Sequence, residues 1–219
     1  MWRERDGGGR GDRPHARREV VLTGNRGYSL LELLVVIALA ALLLAAAALD
    51  LSFFRRHADL HRLGRQLLAD TLHCRIAALT GRRNVGLIFA TRQDKWFYCI
   101  VEDRDGDGVS RRDWAAGVDV PIGPQVWLEF LSQGARVGVP AGWQVPDPSG
   151  RGLLAADDGL RLGDAAIVSF TPRATSTPST VYFHDGRERM LAVRVPGSSG
   201  KVRLLEWRRG WPRWRELRF

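Results

Sequence analysis

The stretch that decides the fold is residues 27–49, GYSLLELLVVIALAALLLAAAAL. From Leu33 onward it holds seventeen residues without a polar side chain, and the five residues before Leu33 extend the largely apolar segment to twenty-two. An α-helix needs roughly 20 such residues to cross a bilayer. The sequence therefore predicts one membrane-spanning helix, which we place at residues 28–52.

The segment before this helix is basic, with seven arginines against four acidic residues up to Arg26. Basic flanks of a membrane-spanning helix stay on the cytoplasmic side. We therefore expect a single-pass protein of the bacterial inner membrane, with its N-terminus in the cytoplasm and the bulk of the chain in the periplasm. A competing interpretation is cleavage at Ala46-Ala47-Ala48, which has the small-x-small form of a signal-peptidase site and would release a soluble secreted protein.

Composition leaves several classes of protein open and excludes others. The chain has 219 residues, is 45% hydrophobic and carries a net charge of +9, so it has enough apolar residues for a buried core. Its basic balance permits contact with acidic lipids or nucleic acid. Cys74 and Cys99 are its only cysteines, which excludes a multi-cysteine zinc module and a disulfide-rich miniprotein.

Beyond Leu49 the apolar residues recur at helical spacing, so residues 53–82 are predicted to continue the helix as an amphipathic segment. After Gly81 the pattern changes to the two-residue period of β-strands, with turn signals such as Asp185-Gly186. The candidate strands are residues 85–89, 96–101, 126–130, 166–170, 180–184, 190–195 and 201–207. A helix followed by an antiparallel sheet gives the α+β class, with residues 83–219 as the β domain and residues 134–163 as a loop insertion.

Residues 27–38 resemble the class III prepilin signal of type IV pilins and type II secretion pseudopilins. In that family a basic leader ends in glycine, an aromatic residue begins the mature chain and glutamate is its fifth residue, which Gly27, Tyr28 and Glu32 match. The resemblance implies a leader at residues 1–27, cleavage between Gly27 and Tyr28 by a prepilin peptidase, and methylation of the new Tyr28 amino group. It also implies a pilin-like fold and assembly with other pilins or pseudopilins.

The chemistry of Glu32 fits such an assembly. A carboxylate within a membrane span is costly unless it finds a partner. After cleavage the amine of Tyr28 would lie about one helical turn from Glu32, and in a filament a neighbour's amine can neutralise the carboxylate. We therefore expect Glu32 to act in assembly.

The rest of the chain is similar to the GspH/FimT group of minor pseudopilins and minor pilins. The similarity covers most of residues 27–207 and rests on residues 67–78, 85–87, 168–175, 180–183 and 200–204, with Ala174 where the group usually has glycine. It implies a minor pseudopilin of the type II secretion system, a structural protein without catalysis that supports export across the outer membrane. The alternative is a FimT-like minor pilin that binds DNA in natural transformation.

Residues 103–108, DRDGDG, place Asp103, Asp105 and Asp107 at positions 1, 3 and 5 of a loop with glycine at position 6, which is how a calcium loop begins. Its twelfth position is Trp114, not an acid, and a predicted strand precedes it. Turns rich in Asp and Gly are also common for geometric reasons alone. Both interpretations stay open, and calcium is the one cofactor that the sequence suggests.

Cys74 on the helix and Cys99 in a strand would meet if the sheet packs on that face of the helix, and the periplasm would then oxidise them to a disulfide. Two buried thiols are the alternative. The chain has no P-loop and no nucleophile-elbow motif, so we expect no enzymatic activity.

The C-terminal segment interleaves basic and aromatic residues. Arginine neutralises phosphate and indole rings stack on bases, so one interpretation is a DNA contact. The other is a β-hairpin around residues 210–212, with tryptophans packed on the sheet and arginines in solvent. The residues concerned are Arg208, Arg209, Arg213 and Arg215, between Trp207, Trp211 and Trp214.

Overall fold

A computed structural model describes residues 29–132, 134–155, 159–162, 167–197 and 200–218, apart from the side chains of residues 46–57. The helices are α1 (Leu30–Gly81), α2 (Arg111–Ala116) and α3 (Leu128–Leu131). The strands are β1 (Val85–Arg92), β2 (Lys95–Glu102), β3 (Val120–Pro121), β4 (Val126–Trp127), β5 (Arg136–Val137), β6 (Leu160–Arg161), β7 (Ile167–Phe170), β8 (Ser179–His184), β9 (Arg189–Val195), β10 (Arg203–Arg208) and β11 (Arg215–Glu216).

The strands form two antiparallel sheets. In the first the order is β3-β2-β1-β7, and β4 also pairs with β2. In the second the order is β11-β10-β9-β8-β5, and β6 also pairs with β8. The predicted α+β class is confirmed, whereas the prediction of one sheet is corrected to two.

Helix α1 supplies one buried stripe to the core. Leu60, Leu63, Leu67, Cys74 and Ala78 are each at most 1% exposed, at the spacing of a single helix face. Side chains from both sheets join these residues in one apolar cluster. The structure therefore confirms the buried face of the amphipathic helix that was predicted for residues 53–82. The helix ends at Gly81.

Gly64 lies on this helix beside the second sheet. A Cβ at Gly64 would lie 2.8 Å from Cδ1 of Leu191 in β9 and 3.1 Å from Cδ1 of Leu204 in β10. Real Cβ atoms do not approach other heavy atoms as closely as 2.8 Å, so any larger residue would displace a leucine of the sheet. The missing side chain thus allows the close approach of helix and sheet.

Both sheets bury their second face as well. In β9, Leu191 and Val193 join the cluster of α1, whereas Met190 and Ala192 join a separate cluster on the other side. The segment predicted as a loop insertion, residues 134–163, covers that side with Val139, Val145 and Leu154, and it also contributes β5 and β6. The insertion is thus a structural layer that forms a second core together with the outer face of this sheet.

Residues 126–130 do not form the predicted strand. Only Val126 and Trp127 pair with β2, and the chain then turns into the short helix α3. Leu128 in α3 is 6% exposed and belongs to the cluster of α1. This turn into α3 places Leu128 in the core. The two-residue spacing of apolar residues in the sequence does not reveal such a change from strand to helix.

Cys74 and Cys99 are free, buried thiols in the structure, so of the two alternatives the disulfide is not formed. Alternation along β2 explains this result. Tyr98 points into the cluster that contains Cys74, and Cys99, one residue later, joins a third cluster with Ile88 and Val101 on the opposite face. The alternative of two buried thiols agrees with the structure.

The chain divides into two units, Met1–Ala45 and Ala46–Phe219. Within the described residues, no helix combines the length and the apolarity needed to cross a membrane. The membrane-spanning segment predicted at residues 28–52 lies partly outside those residues, since neither Tyr28 nor the side chains of residues 46–57 are described.

Ala174 has a left-handed backbone conformation, with φ of 63°. It lies in a turn in which its N–H donates to the Thr171 carbonyl oxygen at 3.0 Å. This conformation costs an L-residue about 1–2 kcal/mol, whereas glycine adopts it freely. The cost explains why glycine is the expected residue at this position.

We predict that Ala174→Gly raises the free energy of unfolding by about 1 kcal/mol, because it removes this strain. The matched control is Ala69→Gly on the exposed side of α1, which should lower stability by about 1 kcal/mol. Urea denaturation measures both changes. Destabilisation by both variants would contradict the left-handed assignment.

The buried stripe of α1 gives a second prediction. Leu67→Ala should lower the free energy of unfolding by about 2–5 kcal/mol, because it opens a cavity between helix and sheets. Ile76→Ala on the same helix removes a side chain that is 60% exposed and should change stability by at most about 0.5 kcal/mol. Equal effects of the two changes in the same denaturation assay would show that this face is not the core.

Candidate functional site

Glu32 lies in the first turn of α1, three residues after Ser29, which caps the helix. The backbone N–H of Glu32 donates to Ser29 Oγ at 3.1 Å, and the N–H of Leu33 donates to the Ser29 carbonyl oxygen at 3.1 Å. A serine followed three residues later by glutamate is a common helix N-terminus. The partial positive charge of this terminus favours the carboxylate.

The surface around Glu32 is apolar and open. All described side chains of residues 29–45 are exposed, and the large apolar ones range from 46% for Val35 to 84% for Leu30. Glu32 is the one charged residue among them. Gly27 and Tyr28, the predicted cleavage and methylation residues, lie outside the described residues. Continuous exposed apolar surface of this kind marks contact with other proteins or with a membrane.

A second polar group lies where β2 ends and β3 begins. Asp103, Asp105 and Asp119 each place a ligand oxygen within 4.8 Å of the other two. The calcium interpretation of the sequence combined Asp103 and Asp105 with Asp107, whereas in the structure the third carboxylate of the group is that of Asp119. Asp119 was missed because it joins the group through the pairing of two strands, which no local motif encodes.

Asp103 orders the loop that follows β2. Its carboxylate accepts hydrogen bonds from the N–H groups of Gly106 at 2.7 Å and Gly108 at 2.9 Å, and from Asn84 Nδ2 at 2.6 Å. Burial alone would raise the pKa of Asp103, but these hydrogen bonds hold it below its ordinary value. The carboxylate is therefore ionised at neutral pH, and the predicted Asp-Gly turn is present.

Negative charges crowd this loop. Asp107 is exposed, and its hydrogen bond with Asp105, followed by the charges of Asp105, Asp113 and Asp103, raises its pKa. Asp107 thus interacts with this acidic group, although it is not one of the three clustered carboxylates of Asp103, Asp105 and Asp119.

The tryptophans of the C-terminal segment are packed, as the second interpretation of that segment predicted. Trp207 is buried and its Nε1 donates to the carbonyl oxygen of Trp211 at 2.8 Å. Trp214 donates from Nε1 to the carbonyl oxygen of Pro146 at 2.6 Å. These contacts fix the hairpin of β10 and β11 to the outer layer of the second sheet.

The arginines of this hairpin lie over indole rings or in solvent. Arg213 is exposed, as are Arg209 and Arg215. The guanidinium carbon lies 5.1 Å from the ring centroid for Arg208 over Trp211, 4.1 Å for Arg215 over Trp211 and 5.9 Å for Arg209 over Trp143. These are cation–π distances, so three of the four predicted arginines also serve packing.

The family model of the prokaryotic N-terminal methylation motif matches residues 22–48. No curated protein and no solved structure matches the chain. The matched residues include Gly27, Tyr28 and Glu32, so the match supports a type IV pilin-like protein that carries the methylation motif. Such proteins are processed by a prepilin peptidase and assemble with other pilins.

Proposed function

We propose that the chain is a minor pseudopilin of a type II secretion system. The N-terminal part of α1 would anchor it in the bacterial inner membrane, with the β domain in the periplasm, and would hold it in the pseudopilus that supports protein export. The observation that carries this proposal is the exposed apolar surface of residues 29–45 with the single charge of Glu32.

The methylation motif supports assembly through the N-terminal end of the helix. Cleavage after Gly27 would leave a cationic amine on Tyr28, close to Glu32 along the chain. In an apolar helix bundle neither charge is stable alone, and pairing the amine of one subunit with the Glu32 carboxylate of the next lowers the cost of both. The pair would also fix the register of neighbouring helices.

The β domain supports a structural role. Its helix packed on antiparallel strands is the arrangement that similarity to the GspH/FimT group implies. Burial raises the pKa of the Cys99 thiol to about 11 and raises that of Cys74 further, which keeps both thiols protonated and poorly nucleophilic. We therefore propose a protein that acts by assembly, without catalysis.

We predict that Glu32→Gln lowers incorporation into filaments at least tenfold, which equals about 1.4 kcal/mol of lost charge pairing. Crosslinking of co-expressed pseudopilins in membranes measures incorporation. Ser29→Ala is the matched control, because it removes the helix cap and keeps the charge. It should cost about 1 kcal/mol of helix stability and leave assembly largely intact.

Mass spectrometry of the same membranes shows whether the variants are processed. All three proteins should begin at N-methyl-Tyr28, so that any loss of incorporation reports on assembly alone. A mature chain that begins at Leu49 would overturn the proposal. Equal incorporation of wild type and Glu32→Gln would remove the role of the charge.

A DNA-binding minor pilin is the second candidate function. The observation that favours it is the fixed hairpin on which Arg209, Arg213 and Arg215 are exposed. Pre-ordered guanidinium groups lose little conformational entropy when they bind phosphate. The packed tryptophans in turn favour a purely structural hairpin.

If the hairpin binds DNA, replacing Arg208, Arg209, Arg213 and Arg215 by Gln should abolish the complex. Four phosphate contacts give a slope of about −3 to −4 in log affinity against log salt concentration. A gel-shift titration of the full-length protein measures both. Replacing Arg112, Arg151, Arg173 and Arg187 by Gln, all exposed and in other segments, changes the net charge equally and should leave binding intact. Absence of a complex at low salt would rule this function out.

A further inference from the structure

Strand pairing brings two buried carboxylates together. Residues Val101 and Glu102 of β2 pair with Pro121 and Val120 of β3, so the residue that follows β2 and the residue that precedes β3 lie opposite each other. Both are aspartates, Asp103 and Asp119, with exposed fractions of 2% and 0%. Two buried carboxylates at one place are unfavourable unless a positive partner joins them.

The loop between them adds a third carboxylate. Gly106 and Gly108 donate backbone hydrogen bonds to the Asp103 carboxylate and so close the loop on Asp103. The exposed Asp105 of this loop lies within reach of the buried pair. The N–H of Ser110 donates to Asp119 Oδ2 at 2.9 Å. Backbone N–H groups thus donate hydrogen bonds to two of the three carboxylates, Asp103 and Asp119.

One carboxylate oxygen of Asp119 indicates a ligand independently of the clustering of the three aspartates. Its Oδ1 is buried and has no hydrogen-bond partner within the described part of the chain. A fully buried, unpaired carboxylate oxygen is among the most costly groups in a protein interior. The oxygen belongs to a carboxylate that already lies in the group with Asp103 and Asp105.

Two arginines near the loop, Arg83 and Arg104, pair with Glu102. Arg104 Nε lies 3.2 Å from Glu102 Oε1 and Arg83 Nε lies 3.8 Å from the same oxygen. Arg83 also donates to the carbonyl oxygens of Asp103 and Arg104 at 3.4 Å. These contacts of Arg83 and Arg104 are with Glu102 and with backbone carbonyls.

The spacing and chemistry of the three oxygens fit one ion. Calcium binds carboxylate oxygens at roughly 2.3–2.6 Å, so two oxygens bound to the same ion lie up to about 5 Å apart. The three ligand oxygens lie within 4.8 Å of one another. We propose that Asp103, Asp105 and Asp119 bind a calcium ion that ties the end of β2 to the start of β3.

The test is isothermal titration of the full-length, chelator-treated protein with CaCl2, together with thermal unfolding in CaCl2 or in EDTA. We expect one ion per chain and a higher melting temperature with calcium. Asp105→Asn is the main variant, because the exposed Asp105 side chain can lose its charge without disturbing the core. Its affinity for calcium should fall at least about tenfold, the lower end of what even an outer partner of a metal ligand costs.

Asp119→Asn should remove binding as well, and Asp105→Asn decides the question if Asp119→Asn does not fold. The matched control is Asp94→Asn, an exposed aspartate in the turn between β1 and β2, which should bind calcium as the wild type does. Absence of binding by the wild type would overturn the proposal, as would unchanged affinity in Asp105→Asn. An equal melting shift with MgCl2 would overturn the assignment to calcium.

Discussion

The burial of one face of α1 is the constraint on which the described β domain depends. Leu60, Leu63 and Leu67 belong to one apolar cluster with side chains of both sheets, so a single helix contributes to the core of two separate sheets. The sheets have no strand in common among the described residues. Burial of each leucine is worth about 1.5–3 kcal/mol, and the approach at Gly64 makes that contact close. Without this stripe, two half-buried sheets would expose apolar surface to each other and to water.

Periodicity was sufficient to predict the long helix and the longer strands but not how they meet. The stripe of α1 and the cores of β1, β2, β8 and β9 follow from spacing along the chain, because each pattern is local. The helical turn at Leu128, the second core under residues 134–163 and the separation of Cys74 from Cys99 depend on which face of a strand is covered. When a sheet is buried on both faces, both faces are apolar. The alternation of apolar and polar residues then does not tell which neighbour covers which face of a strand.

The same limit explains the acidic site. The spacing of Asp103 and Asp105 was visible as a motif, and the structure keeps both. Asp119 is sixteen residues beyond Asp103 and joins it through the register of β2 with β3. An aspartate directly after one strand and another directly before its partner strand are a signal that could have been used once β3 was recognised. A strand of two residues leaves almost no pattern by which to recognise it.

The terminal hairpin shows how packing constrains any nucleic-acid contact. Trp207 and Trp214 have their indole N–H groups committed to backbone carbonyls, and Arg215 lies 4.1 Å from the Trp211 ring centroid. A base could stack on Trp211 only by displacing a guanidinium group, which forfeits a cation–π contact worth about 0.5–1 kcal/mol at an exposed site. The N–H groups on the outer edges of the guanidinium groups can still bind phosphate. A DNA complex of this hairpin would therefore read the backbone, so it would be steeply dependent on salt and indifferent to sequence.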